Sequence, residues 1–165
     1  MKLLPASTLL ALLPAAALAA GPSALGPNGG KYGSWTAATY GSGDAKICYA
    51  FTTPQSTKPA IQSRGKVMLT VTNRKGSENE VSVTSGYDYP QDAKVMLSIG
   101  SKNFDFYTQK NVAFTSAGAD AVAAFKTGYT ATVTGPAPKG KISVTDQFSL
   151  SGFSAAYKAI SDACP

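Results

Sequence analysis

The residues of this chain that could do chemistry are few, and one absence governs the rest: there is no histidine. Without imidazole the commonest general base is gone. So are the Ser-His and Cys-His nucleophile pairs and the usual nitrogen ligands for zinc, copper or iron. Carboxylates remain, 9 Asp plus Glu in 165 residues. Glu78 and Glu80 stand two apart, so on a strand they share a face and could be read as the acid and base that flank a glycosidic bond. Charges at that spacing more often belong to a solvated strand surface that discourages aggregation. Glu80 with Asp146 is the other arrangement a hydrolase could use, provided the fold brings the two within about 5–10 Å. Asp88 and Asp92, around a turn, are the one loop pair that could begin a calcium site, well short of the roughly six to eight oxygens calcium takes. Ser63-Arg64-Gly65-Lys66 spells a Ser-x-x-Lys pattern, but in a glycine-broken loop rather than at a helix start, and it reads as coincidence. The expectation is a protein with no catalytic residue, no metal ligand and no cofactor, and not an enzyme.

Binding chemistry is the alternative. Lys plus Arg number 15 against 9 acidic residues, and only Arg74-Lys75 are adjacent. A nucleic-acid groove would need clustered arginines interleaved with aromatics, so no nucleic-acid partner is expected. A diffuse positive field can still attract anionic envelope glycan or lipid in a salt-dependent way. Trp35 and the 8 tyrosines could form a sugar-stacking platform, although an aromatic on an alternating strand more often packs in the core.

Cys48 and Cys164 are the 2 cysteines, which leaves a single intramolecular connectivity. Two free thiols or one catalytic cysteine are the competing readings. The compartment favours the bridge. Met1–Ala19 carries Lys2, an apolar Leu/Ala run and Ala17-Leu18-Ala19 as a small-x-small cleavage site, the pattern of a signal peptide. No later segment approaches the length of an apolar membrane helix. Loss of Lys2 with the signal takes Lys plus Arg from 15 to 14 against 9, a net charge of +5.

These residues must be carried by strands. Residues 20–32, rich in Gly and Pro, show no period and read as a flexible leader outside the fold. Period-two alternation then marks residues 34–40, 45–51, 66–73, 79–84, 93–99, 102–108, 111–115, 129–134 and 141–148 as strands, with 52–65 as a polar loop. The period changes twice. Ala119–Lys126 reads as a short connecting helix ended by Gly128. Phe153, Ala156, Tyr157, Ile160 and Cys164 form one face of a C-terminal helix begun by Ser151 or Gly152. The expected fold is mainly β: an antiparallel β-sandwich of about nine strands, with one short connecting helix and a C-terminal helix tethered by a disulfide. An eight-stranded outer-membrane barrel is disfavoured, because the runs are short and their outward positions carry Lys, Asp, Ser and Thr.

Taken in order, Gly33-Ser34-Trp35-Thr36, Cys48-Tyr49-Ala50, Asn79-Glu80-Val81-Ser82, Ile99-Gly100, Phe104 with Phe106, and Phe148-Ser149-Leu150-Ser151-Gly152-Phe153 followed by Cys164 resemble the invasion-associated locus B family over about residues 33–164. The resemblance implies a secreted or periplasmic protein of alphaproteobacterial type, in a family named for host-cell invasion, and brings no catalytic residues. Many family members carry a further cysteine just after the tryptophan strand. Ala38-Thr39-Tyr40 stands there instead, which implies a branch with one bridge. The expected organisation is a signal peptide at 1–19, a leader at 20–32 and a single β-rich domain at 33–165. The expected function is a non-enzymatic binding module, in the periplasm, secreted, or peripheral to the outer membrane. Its partner is an envelope or host component, protein or anionic glycan, with a glycan-binding sandwich or a carboxylate hydrolase as alternatives.

Overall fold

A computed structural model describes residues 21–165; the expected signal peptide lies outside the described residues. In chain order the elements are β1 (Ser23–Ala24), a single helical turn α1 (Pro27–Gly30), β2 (Lys31–Tyr32), β3 (Trp35–Tyr40), a 3-10 turn at Gly43–Ala45, β4 (Ile47–Thr52), β5 (Ser56–Lys58), β6 (Met68–Arg74), β7 (Ser77–Thr84), β8 (Val95–Ile99), β9 (Lys102–Gln109), β10 (Val112–Phe114), α2 (Gly118–Thr127), β11 (Thr130–Pro136), β12 (Ser143–Ser149) and α3 (Phe153–Ala163). Every strand pairing is antiparallel, in the order β1-β3-β4-β6-β7-β10-β9-β8-β11-β12-β5, with β2 also on β3. Strand β9 belongs to both halves of that path, a first sheet of β1, β2, β3, β4, β6, β7 and β10 and a second of β8, β11, β12 and β5. Lys102–Phe106 pair with β8, and Tyr107–Gln109 with β10.

The mainly β fold and the disulfide-tethered helix are as the alternation implies. The strand count is twelve rather than about nine. Three short strands account for the difference: β5, inside the stretch read as a loop, and β1 and β2, inside the stretch read as a leader. Part of that leader stretch lies in the sheet, not outside it. Ser23 and Ala24 pair with Thr39 and Ala38, and Lys31 and Tyr32 with Thr36 and Trp35. Between them Leu25 N–H donates to Ala37 O at 2.9 Å, and Leu25 packs against the core. Two- and three-residue strands are too short to show a period, so only tertiary pairing reveals them.

One apolar core joins both halves. Trp35, Ala37, Cys48, Ala50, Leu69, Val71, Val81 and Val83 supply it from the first, and Val95, Leu97, Phe106, Val133, Val144 and Phe148 from the second. Helix α3 packs on β3, β4 and β6, and α2 on β7. Phe153, Ala156, Ile160 and Cys164, the expected helix face, are buried. Burying a side chain as large as Phe153 or Ile160 contributes roughly 1.5–3 kcal/mol, which a helix of three turns needs in order to persist. Trp35, Phe125 and Phe153 meet as an aromatic trio, with centroids 4.8 Å (Trp35–Phe153) and 5.1 Å (Phe125–Phe153) apart in edge-on geometry. The N-cap is Gly152, without a side-chain cap bond. Its φ of 88° and the approach of Tyr32 O, which would lie 1.9 Å from a Cβ there, exclude a side chain. At the far end the Cys48–Cys164 disulfide closes a 116-residue separation, and Lys46 Nζ donates to Ala163 O at 2.8 Å, a cation placed on a helix C-terminus.

Candidate functional site

Alternation along β12 places Asp146 inward, between Val144 and Phe148. A carboxylate there must be paired or protonated. Its partner is Arg64, from the loop after β5. Nη1 donates to Asp146 Oδ1 at 2.8 Å and Nη2 to Oδ2 at 2.7 Å, a bidentate pair with side chains only 8% and 5% exposed. Thr57 on β5 donates its hydroxyl to Oδ1 at 2.6 Å, and Arg64 Nε–H donates to Ser85 O at 2.6 Å. The guanidinium also lies 5.0 Å from the centre of the Tyr87 ring. Burial, more than any neighbouring charge, pushes the Tyr87 and Tyr89 phenols above the usual 10.0. Tyr87 O–H donates to Pro136 O at 3.0 Å. No buried side-chain nitrogen or oxygen among the described residues lacks a partner. This cluster is a clamp joining β5, the loop after β7, and β12, with both carboxylate oxygens bonded to Arg64.

The carboxylates do not assemble into a hydrolytic pair. Glu80 lies on the outward side of β7, opposite in sense to Val81, and accepts a hydrogen bond from Arg74, whereas Asp146 is enclosed by the Arg64 clamp. Glu78 is exposed, and the register shift around Asn79, with φ 60°, breaks the alternation expected to put it on the face of Glu80. Asp88 and Asp92 are exposed, and no group of three or more metal-ligating side chains occurs among the described residues. Ser63 is exposed with a φ of 55°, and Lys66 lies over the Phe51 ring at 5.8 Å rather than serving as a base. Trp35 is fully buried, its indole N–H donating to Ser149 O at 3.0 Å, so it cannot stack on a sugar.

Exposed aromatics lie elsewhere. The outward side of the first sheet carries Tyr49 and Phe51, 6.0 Å apart, and Phe114 with Tyr107, stacked at 5.8 Å. Tyr107 is 62% exposed. Between them run partly exposed hydroxyls, Thr70 and Thr72 on β6 and Ser82 and Thr84 on β7. The sequence held a sign of this. Phe106 and Tyr107 are consecutive on one strand, so one of them has to face outward.

Several of the residues that carry the family resemblance gather instead around α3. Gly33 and Gly152 meet where Ser34 N–H donates to Ser151 O at 3.0 Å. Asn79, with φ 60°, accepts the Tyr157 hydroxyl at 2.5 Å on Oδ1 and donates its backbone N–H to the buried Asn73 side chain. Asn73 Nδ2 in turn donates to Ser161 Oγ at 3.2 Å. Trp35 and Phe148 lie in the core beneath the helix, Phe153 in its first turn packs on Trp35, and Cys48 with Cys164 ties its end. These motifs dock a helix; they do not build a reactive centre.

A family model described as Invasion associated locus B (IalB) protein matches residues 35–161, from the first core strand to the last turn of α3. No curated protein and no solved structure matches the chain.

Proposed function

Because this chain belongs to the invasion associated locus B (IalB) family, we propose that it is an exported, non-enzymatic binding module of the cell envelope, acting in the periplasm or outside the cell on an envelope or host-surface component. One observation carries the reading. Asp146 and Glu80, the pair a hydrolase could use, are engaged in structural bonds with Arg64 and Arg74, while the outward side of the first sheet presents partly exposed aromatics and hydroxyls. The signal pattern at Met1–Ala19, the single bridge and the basic balance support an oxidising, extracytoplasmic setting. Among the described residues no helix is long and apolar enough to cross a membrane.

Cross-linking in intact producing cells, followed by purification of this chain and mass spectrometry of what is attached, tests the reading. A specific envelope component linked through the outward face is expected. A purified chain that cleaves envelope polymer, and stops doing so when Glu80 or Asp146 is changed to the amide in a still-folded protein, would overturn it.

A further inference from the structure

We propose that the outward side of the first sheet binds an extended acidic polysaccharide, its sugar rings stacked on Phe51 and Tyr107; this rests on the binding-module reading above. Register places Thr36, Phe51, Thr70, Ser82, Phe114 and Tyr107 in one row across five strand pairings. Strands lie about 4.8 Å apart, so Phe51 and Phe114 are separated by three spacings, on the order of 14 Å. Two aromatic stations with hydroxyls between them suit a chain of pyranose rings, whose C–H faces stack on aromatics and whose hydroxyls exchange hydrogen bonds with Thr and Ser. A groove of about 240 Å³ bounded by Tyr49, Phe51, Lys66, Met68 and Thr70 gives the first station depth.

Charge decides between acidic and neutral glycan. At one border of the face the charges are neutralised in pairs, Arg74 with Glu80 and Lys75 with Asp44. At the opposite border the pairing Met68↔Thr84↔Val112↔Gln109 brings together the strand ends next to Lys66 and Lys110. Neither lysine has an ion-pair partner among the described residues. Asp88, in the loop that meets Lys110 through the Tyr89 N–H···O bond, pairs with neither. Positive charge left open along one side of a stacking row is complementary to a polymer bearing carboxylates.

Equilibrium binding of the purified chain to polygalacturonate, with dextran as the neutral comparison, tests this. Polygalacturonate should bind, more weakly as salt rises, and dextran at least about tenfold less tightly. Tyr107→Ala and Phe51→Ala should each lower affinity about tenfold or more, as loss of an aromatic stacking contact does elsewhere. Lys66→Gln combined with Lys110→Gln should weaken binding and flatten its salt dependence. Tyr129→Ala, which removes an exposed ring outside this face, should bind as the parent does. Tyr107 is exposed enough for its removal to leave the fold intact, which a matched thermal melt would show.

Failure to bind polygalacturonate overturns the inference, as do equal affinity for dextran and full binding by Tyr107→Ala. Self-association that disappears in Tyr107→Ala would assign the face to a second copy of the chain and overturn it too. If the cross-linked envelope component persists in Tyr107→Ala while polygalacturonate does not bind, the inference falls and the binding-module reading stands. If neither is found, both fall.

Discussion

Arg64 and Asp146 set the terms at the scale of single residues, because a charge enclosed this fully is stable only while its partner is present. Arg64→Ala leaves the carboxylate buried against Thr57 alone and should cost about 3–5 kcal/mol, measured by urea denaturation. Replacing both members with apolar residues of similar volume should cost much less, since two desolvation penalties disappear with the pair. Equal losses in the single and double variants would mean that the pair is not the source of the effect. The phenols beside the clamp set an alkaline limit. Burial raises Tyr89 above 10.0, so above that pH the unfolded chain releases a proton that the folded chain keeps. The unfolded state then holds fewer protons, and stability falls as pH rises. The contribution is complete below pH 10 and is lost on approach to the folded-state value. Denaturation midpoints measured upward from pH 9 should decline, and Tyr89→Phe should flatten the slope; an unchanged slope would place the titration elsewhere.

Elements differ in how much of themselves they declare. Helix α3 could be read from Phe153, Ala156, Tyr157, Ile160 and Cys164, because 3.6-residue periodicity and a terminal thiol are local signals, and its end is tied as expected. Strands β4, β6, β8 and β12 could be read for the same reason, each alternating buried with more exposed positions. What β5 does could not. Ser56-Thr57-Lys58 is polar throughout, and it becomes a strand because Thr57 reaches Asp146 and Gln55 N–H donates to Gln147 O at 2.7 Å, both contacts with a segment some ninety residues away. Arg64 was hidden likewise, as the filler of a Ser-x-x-Lys pattern whose real content was its guanidinium. Trp35 lies in the core, the side favoured for an aromatic on an alternating strand, although one indole alone does not announce it. The bridge belongs to this scale. Cys164→Ser should cost about 2–5 kcal/mol for a loop of this length and should raise hydrogen exchange first in the last turn of α3. Intact mass should rise by two hydrogens on reduction. Labelling of both thiols without reductant would refute the bridge in the isolated protein.

The whole molecule is an open path of strands, and open paths have edges that need protection. At one end β5 is three residues long and is followed by Pro59, which offers little to pair with. At the other end the long strand β3 would be bare but for residues 23–32. β1 covers Thr39 and Ala38, Leu25 N–H donates to Ala37 O, and β2 covers Thr36 and Trp35, so one interrupted ribbon occupies the edge from Trp35 to Thr39. That is a structural task for a stretch whose Gly and Pro content suggested none. The glycines serve the interruption: Gly30, buried with φ 75°, would place a Cβ 2.3 Å from Ala37 O, so only glycine lets the ribbon leave the sheet and return. A chain begun at Gly33 should therefore fold around the same core and disulfide but melt at lower temperature. It should also associate as concentration rises, through the exposed backbone of Trp35–Tyr40. Light scattering and thermal melts on the two lengths, both oxidised, measure this directly. Identical melts with both chains monodisperse would show that β3 tolerates an open edge and that residues 21–32 contribute nothing to the fold. A lower melt with self-association would make the ribbon a guard, placed where another copy of the chain could otherwise add a strand.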